Sequence, residues 1–413
     1  MTGVATSLER THAAAGMSLA QLQAVAIWLM LATSFYVKFE PALCDAMFIV
    51  AVALFMASGL SLTAYVIPLI LYLLLYNLGA FLSYLQVIDD SKAMMFVVTS
   101  TYMSASAIFF ACYIAHDPVR RMAIVKNGWV IGAVLASLLG ILGYFNIAGS
   151  GGMFSRYDRA LSGFKDPNVF GTYLIFPGLM LIQGLLLGNQ RHKLISLASL
   201  GLIITALFLA FSRGAWVNFV SAAMLMAVFT FVLTPSREMR SRIVFLTIFG
   251  ALGLVAMLAV LLSFEEVRNL FLDRFTLVKN YDSGETGRFG NQINSIPLLL
   301  QRPLGFGPQQ FYYYFGLDPH NTFINAFSSY GWLGGVSYFL LITSTIVIGF
   351  KTLLIRSPWQ NFAIVVFCPL LTTILQGVQI DTDHWRHFYW VLGMMWGLFA
   401  ASAAHASKAP KPA

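Results

Sequence analysis

Long apolar runs separated by brief polar breaks recur from one end of the chain to the other. A helix rising 1.5 Å per residue crosses about 30 Å of hydrocarbon in roughly 20 residues, and the runs have that length. No alternating ten-residue pattern appears, so the pattern predicts helices rather than a barrel. The predicted spans are 20–38, 43–60, 62–82, 93–115, 124–147, 168–188, 194–211, 215–233, 243–263, 333–355, 360–379 and 387–404. The stretch 194–233 is almost unbroken. As one helix it would measure about 60 Å, twice the hydrocarbon thickness, so the chain must turn at its polar interruption, Ser212-Arg213-Gly214.

Two stretches between spans are longer than simple turns, a short one at 148–167 and a long one at 264–332. The long one opens with Phe264, Val267, Leu270, Phe271, Phe275 and Val278 at helical spacing, predicting an amphipathic helix lying on the membrane or on the bundle. A second helix is expected around 288–300, before Pro303. Then come the turn-forming residues Leu304 to Pro308 and an aromatic run from Phe311 to Phe315. The expected class is an all-α integral membrane protein of about twelve transmembrane helices with one large helical loop segment. Its parts are an N-terminal bundle of about nine spans (1–263), the loop segment (264–332), the C-terminal transmembrane helices (333–404) and a disordered tail (405–413).

Composition agrees: 58% of residues are hydrophobic and 10% charged, against about 25% charged in soluble domains. The net charge of +8 does not indicate nucleic acid, because the basic residues are spread between helices rather than gathered on one face. The first apolar run is long, bears a Trp and lacks a small-residue cleavage site after it, so it reads as an uncleaved span. Cys44, Cys112 and Cys368 lie far apart with no CxxC, so neither a disulfide framework nor a metal site is expected of them.

Twelve spans would put both termini on one side. The loops on that side and the two ends carry 13 of the 25 basic residues and three of the 17 acidic ones, leaving 12 basic and 14 acidic on the other side. Basic residues concentrated in short loops mark the cytoplasmic face. The termini are therefore expected inside, and the segments 148–167 and 264–332 outside.

The chemistry-bearing residues gather on that outer side. The motifs are Arg302-Pro303-Leu304-Gly305-Phe306-Gly307-Pro308-Gln309-Gln310-Phe311, Pro319-His320-Asn321-Thr322-Phe323 and Tyr330-Gly331-Trp332-Leu333-Gly334-Gly335. Ser212-Arg213-Gly214-Ala215 marks the helix turn, and Asp166-Pro167-Asn168 precedes the sixth span. In order and spacing these resemble the signature of the O-antigen ligase/polymerase superfamily of polytopic glycosyltransferases. There a Pro- and Gly-containing turn precedes an H-N-x-F/L motif, and G-x-x-G opens the next helix. The resemblance spans about 160 to 340. It implies a GT-C-like fold in the bacterial inner membrane and transfer of O-antigen from an undecaprenyl-diphosphate carrier to lipid A–core on the periplasmic face. Membrane lipid surrounds such a protein, and the resemblance implies no cofactor and no metal. It also places Gln309 and Asn321 among the substrate-binding residues.

A lipid diphosphate leaving group favours fixed cationic donors, and the planar fork of arginine matches phosphate oxygens. Arg213, Arg288, Arg156, Arg159, Lys165 and Arg302 are the outward candidates. The alternative is that each snorkels at the membrane edge. Arg213 differs in standing between two spans with almost no loop freedom, where an ionisable residue tends to be functional. His320 is the candidate base: nearby cations would lower an imidazole from its ordinary value of about 6.5 and keep it able to accept a proton. A loop histidine with a merely structural hydrogen bond is the competing reading. Asp166 reads as the cap of the helix near Asn168 and as a neighbour for a basic residue. The outward acids Glu265, Glu266, Asp273, Asp282, Glu285 and Asp318 form no DxD pair and read as solvated loop charges. Asp381-Thr382-Asp383-His384 resembles a metal cluster, but further ligands at suitable spacing are missing. Tyr312, Tyr313 and Tyr314 suit either sugar stacking or an interfacial aromatic belt.

Three rivals remain at this stage. An O-antigen polymerase would share the chemistry but commonly shows two sizeable outer loops, whereas here only one is large. A protein O-oligosaccharyltransferase of the same superfamily would need a peptide groove. A transporter or flippase would line mid-span positions with polar residues, and these spans are nearly free of mid-span charge.

Overall fold

A computed structural model describes residues 17–274, 284 and 287–408. In chain order its helices are α1 (Leu19–Ala32), α2 (Leu43–Ser58), α3 (Ile67–Tyr84), α4 (Ser91–His116), α5 (Pro118–Tyr144) and α6 (Gly151–Phe154). A two-stranded hairpin, β1 (Ser155–Arg156) and β2 (Arg159–Ala160), follows. Then come α7 (Pro167–Tyr173), α8 (Ile175–Leu186), α9 (Lys193–Leu209), α10 (Arg213–Leu233), α11 (Arg237–Leu261) and α12 (Glu265–Arg274). The last are α13 (Arg288–Leu300), α14 (Phe311–Phe315), α15 (Thr322–Leu354), α16 (Gln360–Gln376) and α17 (Arg386–Lys408).

The polar breaks between apolar runs act as caps. Ser18, Asp90, Asp117, Asp166, Ser212, Ser236 and Asn321 each accept a hydrogen bond from a backbone N–H in the first turn of the helix that follows, satisfying donors that a helix start leaves orphaned. Helix stands at every stretch where the hydropathy pattern predicts a span. Among the described residues seven helical segments are long and apolar enough to cross a membrane, and α1, α2, α9 and α16 are shorter apolar helices.

Several boundaries differ from the sequence expectation. The first run ends its helix at Ala32 rather than 38. Thr33 Oγ1 returns a bond to the Leu29 carbonyl, and Tyr36 forms an isolated bridge with Gly163, so the chain turns outward early. The span expected from 333 is preceded by a helical stretch from Thr322, and Gly331, at φ 65°, kinks the chain between them; a Cβ there would lie 2.6 Å from the Pro303 carbonyl oxygen. The tail expected to be disordered from 405 is helical through Lys408, because the alanine-rich run before it favours helix and basic residues suit a helix end. The amphipathic helix covers Glu265–Arg274; Phe275, Val278, Asp282 and Glu285 lie outside the described residues.

Cross-links between loops sort them into two ends. At one end Lys165 meets Glu40 at 3.0 Å, Gln86 Nε2 donates to the Leu304 carbonyl, Gln310 Nε2 to Asp90 and Arg159 Nε to the Ala210 carbonyl. At the other Ser61 meets His116, Arg242 donates to the Leu185 carbonyl and Trp359 Nε1 to Ser402. Every loop alternates between the two sets, as a bundle of successive crossings requires.

α17 is the central helix, buried along most of its length and packed on α4, α5, α15 and α16. Within lipid the hydrophobic effect does not drive helices together, so close backbone approach and packing must do so. A Cβ on Gly393 would stand 2.2 Å from the Ala107 carbonyl oxygen of α4. At the opposite extreme α11 buries only Ile243 and Leu261. Gly393→Val is therefore expected to overpack the α4–α17 contact by about 1–3 kcal/mol and lower the thermal unfolding midpoint in detergent. Gly250→Ala on α11, where nothing lies within 4 Å, should leave that midpoint unchanged.

Candidate active site

The connection between α16 and α17, residues 377–385, is where one end of the bundle converges. Asp381 Oδ2 accepts from the backbone N–H of His320 at 3.1 Å, and Oδ1 accepts from that of Asn321 at 3.0 Å. Asn321 in turn caps α15, accepting from the Phe323 and Ile324 amides, and its Nδ2 donates to the Val378 carbonyl at 3.1 Å. His320 adopts φ 45°, the left-handed region that a non-glycine residue rarely enters. Such strain persists where the surroundings over-determine the backbone, and the two-pronged carboxylate does so here.

The His320 imidazole is half-exposed, with Nδ1 3.9 Å from Asp381 Oδ2. That separation exceeds a direct hydrogen bond yet couples the charges of the two groups. Burial first, and the neighbouring Asp383 next, push the Asp381 carboxyl well above the usual carboxylate range, against the pull of the two amides. Asp383 is buried, accepts from Asn325 Nδ2 at 2.9 Å and faces His384 Nδ1 at 3.1 Å. Among the described residues no group of three or more His, Cys, Asp or Glu side chains is arranged to hold a metal ion.

One candidate arginine, Arg288, reaches this segment, and the helix start that carries Arg213 packs on the end of α16 just before it. Arg288, the first residue of α13, donates from Nη1 to the Gln379 carbonyl at 3.3 Å and lies 4.8 Å from the Phe289 ring centre. Arg213 opens α10 directly after the capping Ser212. One residue on, a Cβ at Gly214 would stand 2.7 Å from Gln376 Nε2, and Asn218 Nδ2 donates to Gln376 Oε1 at 2.6 Å. α13 also braces His320 from behind, since Gln292 Nε2 donates to the Pro319 carbonyl at 2.8 Å.

The remaining candidates separate. Arg159 is buried, bonded to the Ala210 carbonyl and to Asn168 Oδ1, each at 2.8 Å. It thereby ties the hairpin to the turn before Arg213, where Phe211 stands at φ 44°. Asp166 caps α7 through the Asn168 amide at 2.6 Å. Lys165 pairs with Glu40, which also meets Arg386 at 3.3 Å. Burial opposes ionisation of Glu40, yet the Lys165 hydrogen bond and the Arg386 charge outweigh it and hold the carboxyl below its ordinary value. Arg156 stacks on its neighbour Tyr157, 4.8 Å from the ring centre. Arg302 lies against Phe306 and Tyr314, and Gln309 is exposed at φ 60°.

Sequence singled out Asp381 only as part of a cluster resembling a metal site, not as a partner of His320, and the contact between the two joins positions 61 apart in the chain. The available signal was two outward acids in a short loop, Asp381 and Asp383, beside the next helix start. Next to the polar convergence an apolar cleft of about 480 Å³ runs between α13 and α15, lined by Ile296, Leu299, Leu300, Phe323, Ile324 and Phe327 with Asn321 at its rim.

Asp381→Asn replaces one acceptor oxygen by an amide group facing a backbone N–H. A bond to a charged group contributes about 1.5–3 kcal/mol. The variant is expected to unfold at lower temperature than the parent, and an unchanged midpoint would contradict the assigned geometry.

No curated protein matches the chain. Residues 198–339 match the family model described as O-antigen ligase. The matched region, about a third of the chain, contains Arg213, Arg288, His320 and the glycine-bearing start of α15, and over it the protein is similar to the O-antigen ligase family.

Proposed function

We propose that the protein is a glycosyltransferase of the bacterial inner membrane, with both termini cytoplasmic, that transfers O-antigen polysaccharide from undecaprenyl diphosphate to lipid A–core on the periplasmic face. The observation that carries this reading is the meeting of His320, Arg288 and the Arg213 turn on the single segment 376–381. In this reading the acceptor hydroxyl gives its proton to His320 as its oxygen bonds to the anomeric carbon of the first donor sugar. The bond from that carbon to the diphosphate oxygen breaks, and the electron pair leaves with the diphosphate. Arg213 and Arg288 stabilise the charge that grows there. One displacement inverts the anomeric centre.

Asp381 completes the assignment as a positioning residue. Its two backbone hydrogen bonds hold the residue that carries the imidazole in place. The apolar cleft beside Asn321 suits the isoprenoid tail of the carrier, leaving the headgroup at the polar rim. Arg159 and Asp166 shape the approach to Arg213 rather than touch phosphate, and Lys165 belongs to the ion-pair cluster with Glu40.

The test is ligation by purified protein with carrier-linked glycan and lipid A–core. His320→Ala should lose at least about a hundredfold in kcat, the scale of general-base catalysis. The parent's rate should rise with pH through the imidazole range. Near-full activity of His320→Ala would remove the proposal.

Deletion of the protein from its cell separates the rival readings. Bare core with carrier-linked polymer accumulating is the expected outcome. Core bearing a single unit would mean a polymerase, and intact lipopolysaccharide with lost glycoprotein would mean a protein-modifying enzyme.

A further inference from the structure

α14 and the residues before it present a surface that the reaction scheme leaves unused. Tyr312, Tyr313 and Tyr314 are 54%, 72% and 47% exposed, three consecutive large rings turned outward. Their support is rigid. Phe311 is buried beneath them, Phe306 stacks on Tyr314 at 4.4 Å, and Phe311 stacks on Phe315 at 4.5 Å. Arg302 donates to the Tyr314 hydroxyl at 2.7 Å and lies 4.9 Å from that ring's centre. Preorganised aromatic rings of this kind bind without much loss of side-chain freedom.

The level of α14 identifies the medium around it. Gln310, its capping residue, donates to Asp90, and Gln86 donates to the Leu304 carbonyl just before it. The base of α14 therefore stands over the α3–α4 turn among Asp89, Asp90 and Lys92. Charged groups of that density belong to the aqueous layer rather than to the acyl boundary where an aromatic belt sits. Along the chain, α14 leads through Gly316, in the left-handed conformation, directly to His320. Across the fold, Asn291 in the first turn of α13 donates to the Phe315 carbonyl. The tyrosines and the candidate base thus belong to one braced unit.

We propose that Tyr312, Tyr313 and Tyr314, backed by Arg302, form the subsite that holds the acceptor saccharide, a refinement that rests on the ligase reading. Arg288 engages the Gln379 carbonyl, beside which the diphosphate of the donor would dock, whereas α14 is anchored on the α3–α4 turn. The acceptor hydroxyl must approach the base, and the residues leading into His320 are these rings. The partly positive C–H faces of a pyranose pack on the negative faces of aromatic rings. Tyrosine hydroxyls add hydrogen bonds to sugar hydroxyls at the ring edge.

The test uses the full-length protein in nanodiscs with delipidated acceptor oligosaccharide as the probe, read by saturation transfer from aromatic protons to sugar protons. The parent should transfer, and the double variant Tyr312→Ala/Tyr313→Ala should lose the signal. Tyr312→Trp/Tyr313→Trp should keep it. In ligation assays the alanine pair should raise KM for the acceptor about tenfold, the scale of two lost ring contacts, with kcat and the donor KM nearly unchanged. Both side chains are exposed, so their removal leaves the fold intact. Absence of transfer in the parent, equal transfer in the alanine variant, or a loss confined to kcat would each overturn the subsite. Saccharide binding at these rings in a protein that never ligates would sustain the subsite while refuting the catalytic reading.

Discussion

One carboxylate holding two consecutive backbone N–H groups organises the outer end of this molecule. Asp381 grips the amides of His320 and Asn321 and so joins the start of α15 to the connection between α16 and α17. A carboxyl group with a separate oxygen facing each donor restrains both distance and direction. That restraint offsets the left-handed conformation of His320, which alone costs about 1–2 kcal/mol. Remove the grip and the imidazole loses its address, even though no covalent chemistry passes through Asp381.

The membrane dictates why so much depends on so few polar contacts. Helix ends at the bilayer edge must satisfy their own backbone groups, and short capping residues do this at several of the helix starts. Polar side chains deeper in the bundle pair with one another. Asn218 bonds Gln376, Thr372 and Thr373 from one helix to the next, and Asn325 bonds Asp383. These pairs lie under Arg213 and His320 respectively, so the polar layer that fixes helix register also supports the candidate chemistry. With the apolar surfaces of helices and lipid nearly equivalent, register rests on such pairs and on close approaches such as that at Gly393.

Much of this was legible in the linear pattern, because hydropathy and capping act locally. The turn at Ser212-Arg213-Gly214 follows from length alone, and the α13 helix at 288–300 from spacing before Pro303. The early end of α1 was not legible: Phe35, Tyr36 and Val37 are as apolar as a span, and only the distant Gly163 draws them out of the helix. The helical stretch from Thr322 was not read from the sequence; it is separated by the kink at Gly331 from the helix that runs on to Leu354, whose start agrees with the expected 333. What Asp381 binds was hidden for a related reason. Its partners are backbone amides from a region 60 residues away, and no side-chain motif records that kind of contact. Nor does sequence show the partners of basic residues, so beyond setting Arg213 and Arg288 apart it left Arg156, Arg159, Lys165 and Arg302 unsorted.

Sorting them reveals a division of labour. Arg159 spends its guanidinium on the Ala210 carbonyl and Asn168, the backbone just ahead of the strained Phe211. Arg156 and Arg302 lie on neighbouring aromatic rings, and Lys165 neutralises Glu40. Each therefore shapes a loop. Arg213 and Arg288 are instead the first residues of helices α10 and α13, where the backbone N–H groups and the helix dipole already favour an anion. An arginine in that position adds its own charge to a field of the same sign, and both helix starts lead to the segment that carries Asp381. In the proposed reaction, two positive helix starts beside one connection would favour a doubly charged leaving group. The α16–α17 connection that holds the His320 backbone lies outside the matched family region.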